Sequence, residues 1–534
     1  MKHFMIGASA LALLAACGAD DEPKDKAGAA VEKSLKSGKF EEIELPKLKF
    51  KAKDYGQTAE VLAALKLDGE ANELISFADT SSADGGAVFN NVEIKPQNED
   101  GPALIAKAMT FDGLNMTDAG PSFDRLVLSE LSMVDEEEGV NLSIGDVSIV
   151  EPNEAASAFF ASLIRGEEPE DVAPFSEWAF DRLSLSNLSL AAAPKDEEGA
   201  ISASIGELAI GSLVDSVAGQ TLFSDLKIDF DIPDSGDFPI KGSMKLDSLS
   251  MSNLQAAFLE TFAEAGSDPD KLAQLNSALM GSYTSPIDQG FDQSVMKGLS
   301  LDLSGLSFSM PKAATKVVRN KDGIATGLVS PKTVFKLSAD AEAGELGAQL
   351  AQGLAMLDYT DLEFGIEAKA SYDPETKETR YTDYVIDMKD GFSLSFNGGM
   401  LNLLDVMKQA SSSDNPETSM AAFGDLKLSD MEISLEDKSL LDRGFKVAAQ
   451  MQGMEASQLK SMASGILAMG TMQASQSGVD MELVNQTVNA LTSFIEDSGT
   501  LTIKLDPDAP LSMADLENPE SMTVEALGFS AETK

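Results

Sequence analysis

The sequence predicts an α+β fold: an extended antiparallel β-sheet built from repeated Leu-x-Leu-Ser strands, with helices packed on its apolar face. An internal repeat is the first sign. Residues 123–133 read Phe-Asp-Arg-Leu-Val-Leu-Ser-Glu-Leu-Ser-Met and residues 180–190 read Phe-Asp-Arg-Leu-Ser-Leu-Ser-Asn-Leu-Ser-Leu, with eight identities at an offset of 57. The match runs on, since Glu137-Glu138-Gly139 returns as Glu197-Glu198-Gly199 and Ser143-Ile144-Gly145 as Ser204-Ile205-Gly206. The second sign is alternation. Successive side chains of a strand point to opposite faces, so apolar residues alternating with Ser, Asp, Lys or Asn give one greasy and one wet face. Weaker copies of this pattern lie at 111–116, 244–251, 296–310 and 423–429. Leu126, Leu128, Leu183, Leu185, Leu301 and Leu303 share the apolar register, and such strands side by side would make one continuous apolar face. The third sign is a set of stretches with helical spacing between the strands.

Taken in order, the chain starts with a leader. Met1-Lys2-His3 precedes an apolar run from Phe4 to Leu14, and Leu14-Ala15-Ala16-Cys17 closes it. A positive n-region, a short apolar core and small residues before the cut make a secretory signal, with a run too short to span a bilayer. Leu-Ala-Ala-Cys resembles the lipobox of bacterial lipoproteins. That resemblance implies a signal peptide over 1–16 and Cys17 as the lipidated new N-terminus, joined to the membrane through its acyl chains. Gly18 stands where the inner-membrane retention signal of enteric lipoproteins places aspartate. Resemblance to sorted lipoproteins therefore implies a periplasm-facing place in the cell envelope, the outer membrane ahead of the inner.

Residues 17–40 are small, charged and without apolar periodicity, as a tether is. Residues 41–315 form a repeat-rich β region with inserted helices, and 316–534 a second α+β region. Pro152 opens a helix over 154–163. Further helices are expected over 253–280 (broken at 266–269), 346–357, 401–407, 459–472 and 483–495. Lys321-Asp322-Gly323 and Tyr372-Asp373-Pro374 mark hairpin turns. Phe335-Lys336-Leu337-Ser338-Ala339 echoes Phe445-Lys446-Val447-Ala448-Ala449, each before a helix, which reads as a second, looser repeat.

Composition narrows the chemistry. His3 is the only histidine and Cys17 the only cysteine. With His3 in the leader and Cys17 acylated, Ser-His-Asp and Cys-His catalysis, His- or thiolate-bound zinc and structural disulfides are all excluded. Asp and Glu number 88 against 40 Lys and Arg, a formal net charge of −48 that repels nucleic acid and anionic headgroups. Glu136-Glu137-Glu138 and Asp20-Asp21-Glu22 read as solvated charge, and no calcium-loop spacing occurs. Ser294/Lys297 and Ser457/Lys460 have the S-x-x-K spacing without the motifs that accompany a Ser–Lys nucleophile, so they read as chance. No phosphate-binding glycine loop is present. No catalytic residue, metal site or cofactor is assigned.

Met451, Met454, Met462, Met469 and Met472 crowd one region. Thioethers fill irregular cores, line adaptable apolar surfaces, or bind Cu(I), and core filling is the first expectation. Trp178 reads as packing, because a base-stacking platform needs a basic groove. The repeat texture over 105–310 resembles AsmA-like and other β-groove envelope proteins, in which stacked strands form a lipid-holding trough. That resemblance implies a groove lined by Leu126, Leu128, Leu183, Leu185, Leu301 and Leu303. Two functions follow as expectations. One is a non-enzymatic binding or structural module of the envelope that meets an envelope protein; the other is an acyl-chain carrier.

Overall fold

The computed structural model describes residues 40, 43–69, 72, 74–83, 85–96, 101–135, 139–167, 173–193, 199–233, 240–257, 281–411, 421–474, 480–512, 515 and 522–534. The leader, Cys17, nearly all of the tether, the acidic runs at 20–22 and 136–138, and the helix expected within 258–280 lie outside them. Two compact units emerge, one from residues within 41–263 and 293–304, the other from residues within 264–292 and 305–534. Both are antiparallel sheet with helices, an α+β fold as the alternation predicts.

The first unit is a meander. Its early strands are β1 (Ile75–Ser76), β2 (Asp79–Ala83), β3 (Gly86–Ile94), β4 (Leu104–Asp112), β5 (Asn115–Thr117), β6 (Gly120–Ser122) and β7 (Arg125–Asp135). Then come β8 (Val140–Val150), β9 (Arg182–Ala192), β10 (Ala200–Ile210), β11 (Leu213–Val214), β12 (Val217–Ile232), β13 (Ile240–Gln255) and β14 (Gln293–Leu303). The two 57-offset repeats are the hairpins β7–β8 and β9–β10, which lie side by side. Residues 253–255, expected at a helix start, instead finish β13.

Register explains the repeat. Phe89, Met109, Leu128, Val147, Leu185, Leu208, Phe223, Leu249 and Met296 stand opposite one another in turn across the sheet. Directly opposed residues share a face, so this is one apolar row. A neighbouring row runs through Phe111, Leu126, Ile149, Leu183 and Ile210. Leu301 and Leu303 are not in these rows. Leu301 ends a row through Leu142, Leu190, Ala203, Ile228 and Met244, and Leu303 one through Ile201, Phe230 and Gly242.

Between the two sets the apolar pattern skips a position, from Leu126 and Leu128 to Leu131 and Met133. Strict alternation would put residues three apart on opposite faces. Yet Phe89 and Val92 are both 0% exposed, and Met109 and Ala106 1% and 0%. The skip falls on a single row. Asn91 (φ 50°), Glu130 (46°), Asn187 (50°), Asp225 (53°) and Gly298 (65°) adopt left-handed backbone there, one in every second strand. Facing them are Lys107, Gly145, Gly206 and Asp247. A Cβ on Gly206 would stand 2.7 Å from Asp225 Oδ2, and one on Gly145 3.0 Å from Asn187 Nδ2. The left-handed residue resets the alternation, and the glycine opposite leaves room for its side chain. Glu130 also forms an ion pair with Lys107, its neighbour in the row.

The other face is crossed by an irregular strap, residues 43–55. The Ile43 amide donates to Ser250 Oγ (3.1 Å) in β13, Arg182 in β9 donates to the Pro46 carbonyl, and Arg125 in β7 lies 4.9 Å from the Phe50 ring centroid. Lys53 N–H and Tyr55 O–H then donate to the Asp124 carboxylate at 3.2 and 3.1 Å. Arg125 and Arg182 adjoin Leu126 and Leu183 in sequence, so the strap lies opposite the apolar rows. Helices α1 (Thr58–Ala64) and α2 (Glu154–Arg165) pack on the β5–β6 ribbon. Asn153 Oδ1 caps α2 by accepting from Ala156 N–H (3.0 Å), and Gly166 closes it in left-handed conformation. Phe89, Phe111, Phe123 and Phe160 then run edge to face from the sheet to α2.

The second unit continues the numbering with β15 (Leu306–Arg319), β16 (Ala325–Ala339), β17 (Asp361–Asp373), β18 (Glu378–Met388) and β19 (Phe392–Leu401). After them come β20 (Lys427–Asp437), β21 (Gly499–Leu505), β22 (Leu511–Ser512) and β23 (Ser530–Thr533). Each strand from β15 to β20 pairs with the next, β21 and β22 share the far side of β20, and β23 closes on β21. The turns expected at 321–323 and 372–374 join β15 to β16 and lead from β17 to β18. Its helices are α3 (Glu345–Met356), α4 (Leu403–Ser411), α5 (Leu440–Gln452), α6 (Ala456–Ala474), α7 (Met481–Asp497) and α8 (Val524–Leu527). Here the second repeat fails. Residues 335–339 are strand, but 445–449 lie inside α5. Leu440, Leu441, Gly444, Phe445 and Ala448 fall on one helical face, and that spacing prevails over the short alternation at 445–449.

A buried ion pair anchors the segment 284–292, which leads into β14. The Asp288 side chain is 0% exposed. Its carboxylate accepts from Thr284 N–H (2.9 Å), Thr284 O–H (2.6 Å), Gly290 N–H (3.0 Å) and both terminal nitrogens of Arg319 (3.0 and 2.8 Å). Arg319 Nε also donates to Asp292 (2.8 Å). Burial pushes the Asp288 carboxyl up, but the bonds from Arg319, Thr284 and Gly290 outweigh it and hold the pKa below 3.8. A depressed folded-state pKa stabilises above the unfolded value and ceases to do so as pH falls through the folded one. Asp288→Asn should therefore cost about 3 kcal/mol at neutral pH. In urea titrations from pH 7 down to 3, the gap between the wild type and this variant should narrow below about pH 4; a constant gap would contradict the assignment.

Candidate functional site

An apolar concavity lies in the second unit, where α5 leaves the end of β20. Asp437 and Ser439 set the start of α5, with Asp437 Oδ1 accepting from Leu441 N–H at 2.8 Å. Arg443 donates to the Leu357 carbonyl (3.0 Å) at the end of α3, and its guanidinium sits 4.1 Å above the Tyr359 ring. These contacts fix the angle at which α5 crosses the sheet. Gly453, left-handed at φ 69°, ends α5 and turns the chain into α6. Lys460 then clips α6 back onto α5, with Nζ 2.7 Å from Asp442 Oδ1 and 5.9 Å from the Phe445 ring centroid. Helix α7 packs on α6, β21 and β23, and Ala490, Phe494 and Leu501 form its buried base.

A pocket of about 500 Å³ is left between these elements. Leu440, Leu441, Gly444, Phe445 and Ala448 of α5 form one wall. Phe392 of β19, Leu435 of β20, Leu459 of α6 and Phe494 of α7 form the rest. Asp437 is the only acid among the lining residues, and its carboxylate already serves the Leu441 amide. Such a pocket offers dispersion and apolar burial to a ligand and next to nothing polar. Its volume is within the roughly 300–1,000 Å³ of small-molecule sites. No polar constellation for catalysis or metal binding lines it.

The expected site residues distribute differently. Leu126 (6% exposed) and Leu303 (5%) are buried, while Leu128, Leu183, Leu185 and Leu301 are half-buried. Leu208 and Ile201, in the same rows as Leu185 and Leu303, are each 43% exposed. The apolar face of the first unit is thus closed where α2 and its phenylalanines meet it and partly open toward β10. The two S-x-x-K pairs form no nucleophile site. Ser294 and Lys297 lie in β14, where residues three apart point to opposite faces, and Lys460 is engaged by Asp442. Three of the five methionines are not core: Met451, Met462 and Met469 are 80%, 52% and 61% exposed, Met454 is half-buried, and the Met472 side chain lies outside the described residues. Among the described residues no group of three or more His, Cys, Asp or Glu is placed to hold a metal ion. No helix there is long and apolar enough to cross a membrane.

The pocket's main wall, α5, is not among the helices the sequence predicts, because Phe445–Ala449 echoes Phe335–Ala339 as a second, looser repeat. The signal was present in the spacing of Leu440, Leu441, Gly444, Phe445 and Ala448. Fold and site together define an open-sheet α+β protein with a helix-roofed apolar pocket. A family model described as "Uncharacterized protein" matches residues 385–534, a span from β18 to β23 that contains the whole pocket. No curated protein matches the chain. No enzyme family is indicated.

Proposed function

We propose that this protein is a lipid-anchored, periplasm-facing module of the bacterial cell envelope that acts by binding and not by catalysis, and that its pocket takes an acyl chain. The pocket carries the reading: it is wide enough for a small ligand, and its walls are aliphatic and aromatic. The Leu-Ala-Ala-Cys17 sequence supports the anchor, and the net charge of −48 argues against nucleic acid as partner. A second reading places the ligand on the apolar rows of the first unit. The exposure of Leu208 and Ile201 in those rows favours it.

Native mass spectrometry of the full chain carrying Cys17→Ser, purified from a bacterial host, tests the pocket. The expected result is one acyl lipid per chain, absent in Gly444→Leu. A Cβ on Gly444 meets nothing within 4 Å, and leucine in a helix interior is favoured over glycine by about 1 kcal/mol, so the variant folds while filling the site. Lipid retained in Gly444→Leu but lost in Leu208→Asp would move the ligand to the first unit. No lipid in any form would overturn both readings and leave a structural module. The anchor is tested separately by detergent-phase partitioning. The wild-type chain should enter the detergent phase and the Cys17→Ser chain the aqueous one; equal partitioning would contradict lipidation at Cys17.

A further inference from the structure

We infer that the outer face of α6 is a docking surface for a lipid bilayer of zwitterionic headgroups, from which an acyl chain passes to the pocket; the last clause rests on the pocket reading above. Helix α6 carries an apolar stripe that begins at the pocket. Leu459 lines the pocket. Beyond it Met462 (52% exposed), Ile466 (63%) and Met469 (61%) continue the same helical stripe outward from the pocket. Exposed Ser461, Gly465, Ala468 and Gly470 fill the spaces between them. An exposed apolar stripe of this kind calls for an occupant.

Charge selects which one. The chain has 88 acidic residues, yet none falls within 456–479. The single charge of α6, Lys460, is held by Asp442. A basic protein would be drawn to the acidic surface elsewhere and not to this stripe. A second copy would bring another −48 into contact, against strong self-repulsion. A zwitterionic lipid surface has no net charge, and it accepts methionine and isoleucine side chains at the boundary between headgroups and acyl chains. Unbranched methionine adapts to a fluid partner better than a shaped aliphatic side chain does. Leu459 stands three residues before Met462 and seven before Ile466, so the exposed stripe runs along one side of the helix into the pocket wall.

The test uses the full chain with Cys17→Ser, given one new thiol for an environment-sensitive fluorophore. Ile466→Cys places the label on the stripe; Asp322→Cys places it in the exposed β15–β16 turn as a control. On adding phosphatidylcholine vesicles, the emission of the label at 466 should shift to the blue while that at 322 stays unchanged. Phosphatidylglycerol vesicles should give a weaker shift that salt partly restores, because the chain and those headgroups share a sign. No shift at 466 with phosphatidylcholine would overturn the inference. So would a vesicle-independent shift that grows with protein concentration alongside a sedimenting dimer, which would assign the stripe to a second copy. The two readings fail separately. A shift at 466 that survives Gly444→Leu supports docking whatever the pocket holds, whereas a lipid-loaded pocket with a silent label overturns docking alone.

Discussion

Side-chain alternation is unforgiving in a sheet: one slip of register turns every apolar residue to the wrong face. The long strands β3, β4, β7–β10 and β12–β14 of the first unit make such a slip at the same height, and the sheet survives because they make it together. Left-handed Asn91, Glu130, Asn187, Asp225 and Gly298 alternate across the sheet with Lys107, Gly145, Gly206 and Asp247. A left-handed residue other than glycine costs roughly 1–2 kcal/mol, less for Asn and Asp, which bond locally. That cost is offset by keeping Leu126 with Leu131, and Phe89 with Val92, on the buried side. Had one strand alone skipped, its neighbours would have presented serine where it presented leucine. The ladder is therefore a collective property of the row, and the paired repeats record it.

The second unit solves a different problem. Its strands carry helices at one end, and the helices are joined by close polar clips in a mostly apolar setting: Arg443 on the α3 carbonyls, Lys460 on Asp442, Asp437 on the Leu441 amide. Clips at the rim hold the walls apart, and between them the apolar side chains do not fill the space. An apolar pocket bounded by rigid helices is preorganised for an apolar ligand, since little further ordering accompanies binding.

Much of this was legible in the residues. The Leu-x-Leu-Ser repeats give strands, and the 57-residue offset gives two hairpins that the structure sets side by side. Pro152 with Asn153 marks the start of α2, and helices α3, α4, α6 and α7 fall where apolar spacing places them. Other features depend on distance in sequence. The phase skip is written in Leu-Ser-Glu-Leu and Leu-Ser-Asn-Leu, but its meaning needs the facing glycine of Ser-Ile-Gly, more than ten residues away. The strap, residues 43–55, alternates apolar and charged residues as a strand would yet forms none, because its order comes from Ser250, Arg182, Arg125 and Asp124. Helix α5 failed for a local reason: Phe445-Lys446-Val447 alternates over too few residues to separate strand from helix. The methionines of α6 have core spacing, and only the position of α5 and α7 decides which of them face out.

The left-handed row is tested most directly at Asn187, an exposed position where side-chain burial does not intervene. In an ordinary strand valine is favoured over glycine, on a scale spanning about 1 kcal/mol. In left-handed backbone the order reverses, because a β-branched side chain meets the following carbonyl and glycine does not. Urea denaturation of Asn187→Gly and Asn187→Val measures the difference. The account predicts that the glycine variant is the more stable by about 1–2 kcal/mol. A valine variant equal to or more stable than the glycine variant would mean that Asn187 sits in regular strand, and the reset of the apolar face would have to be abandoned.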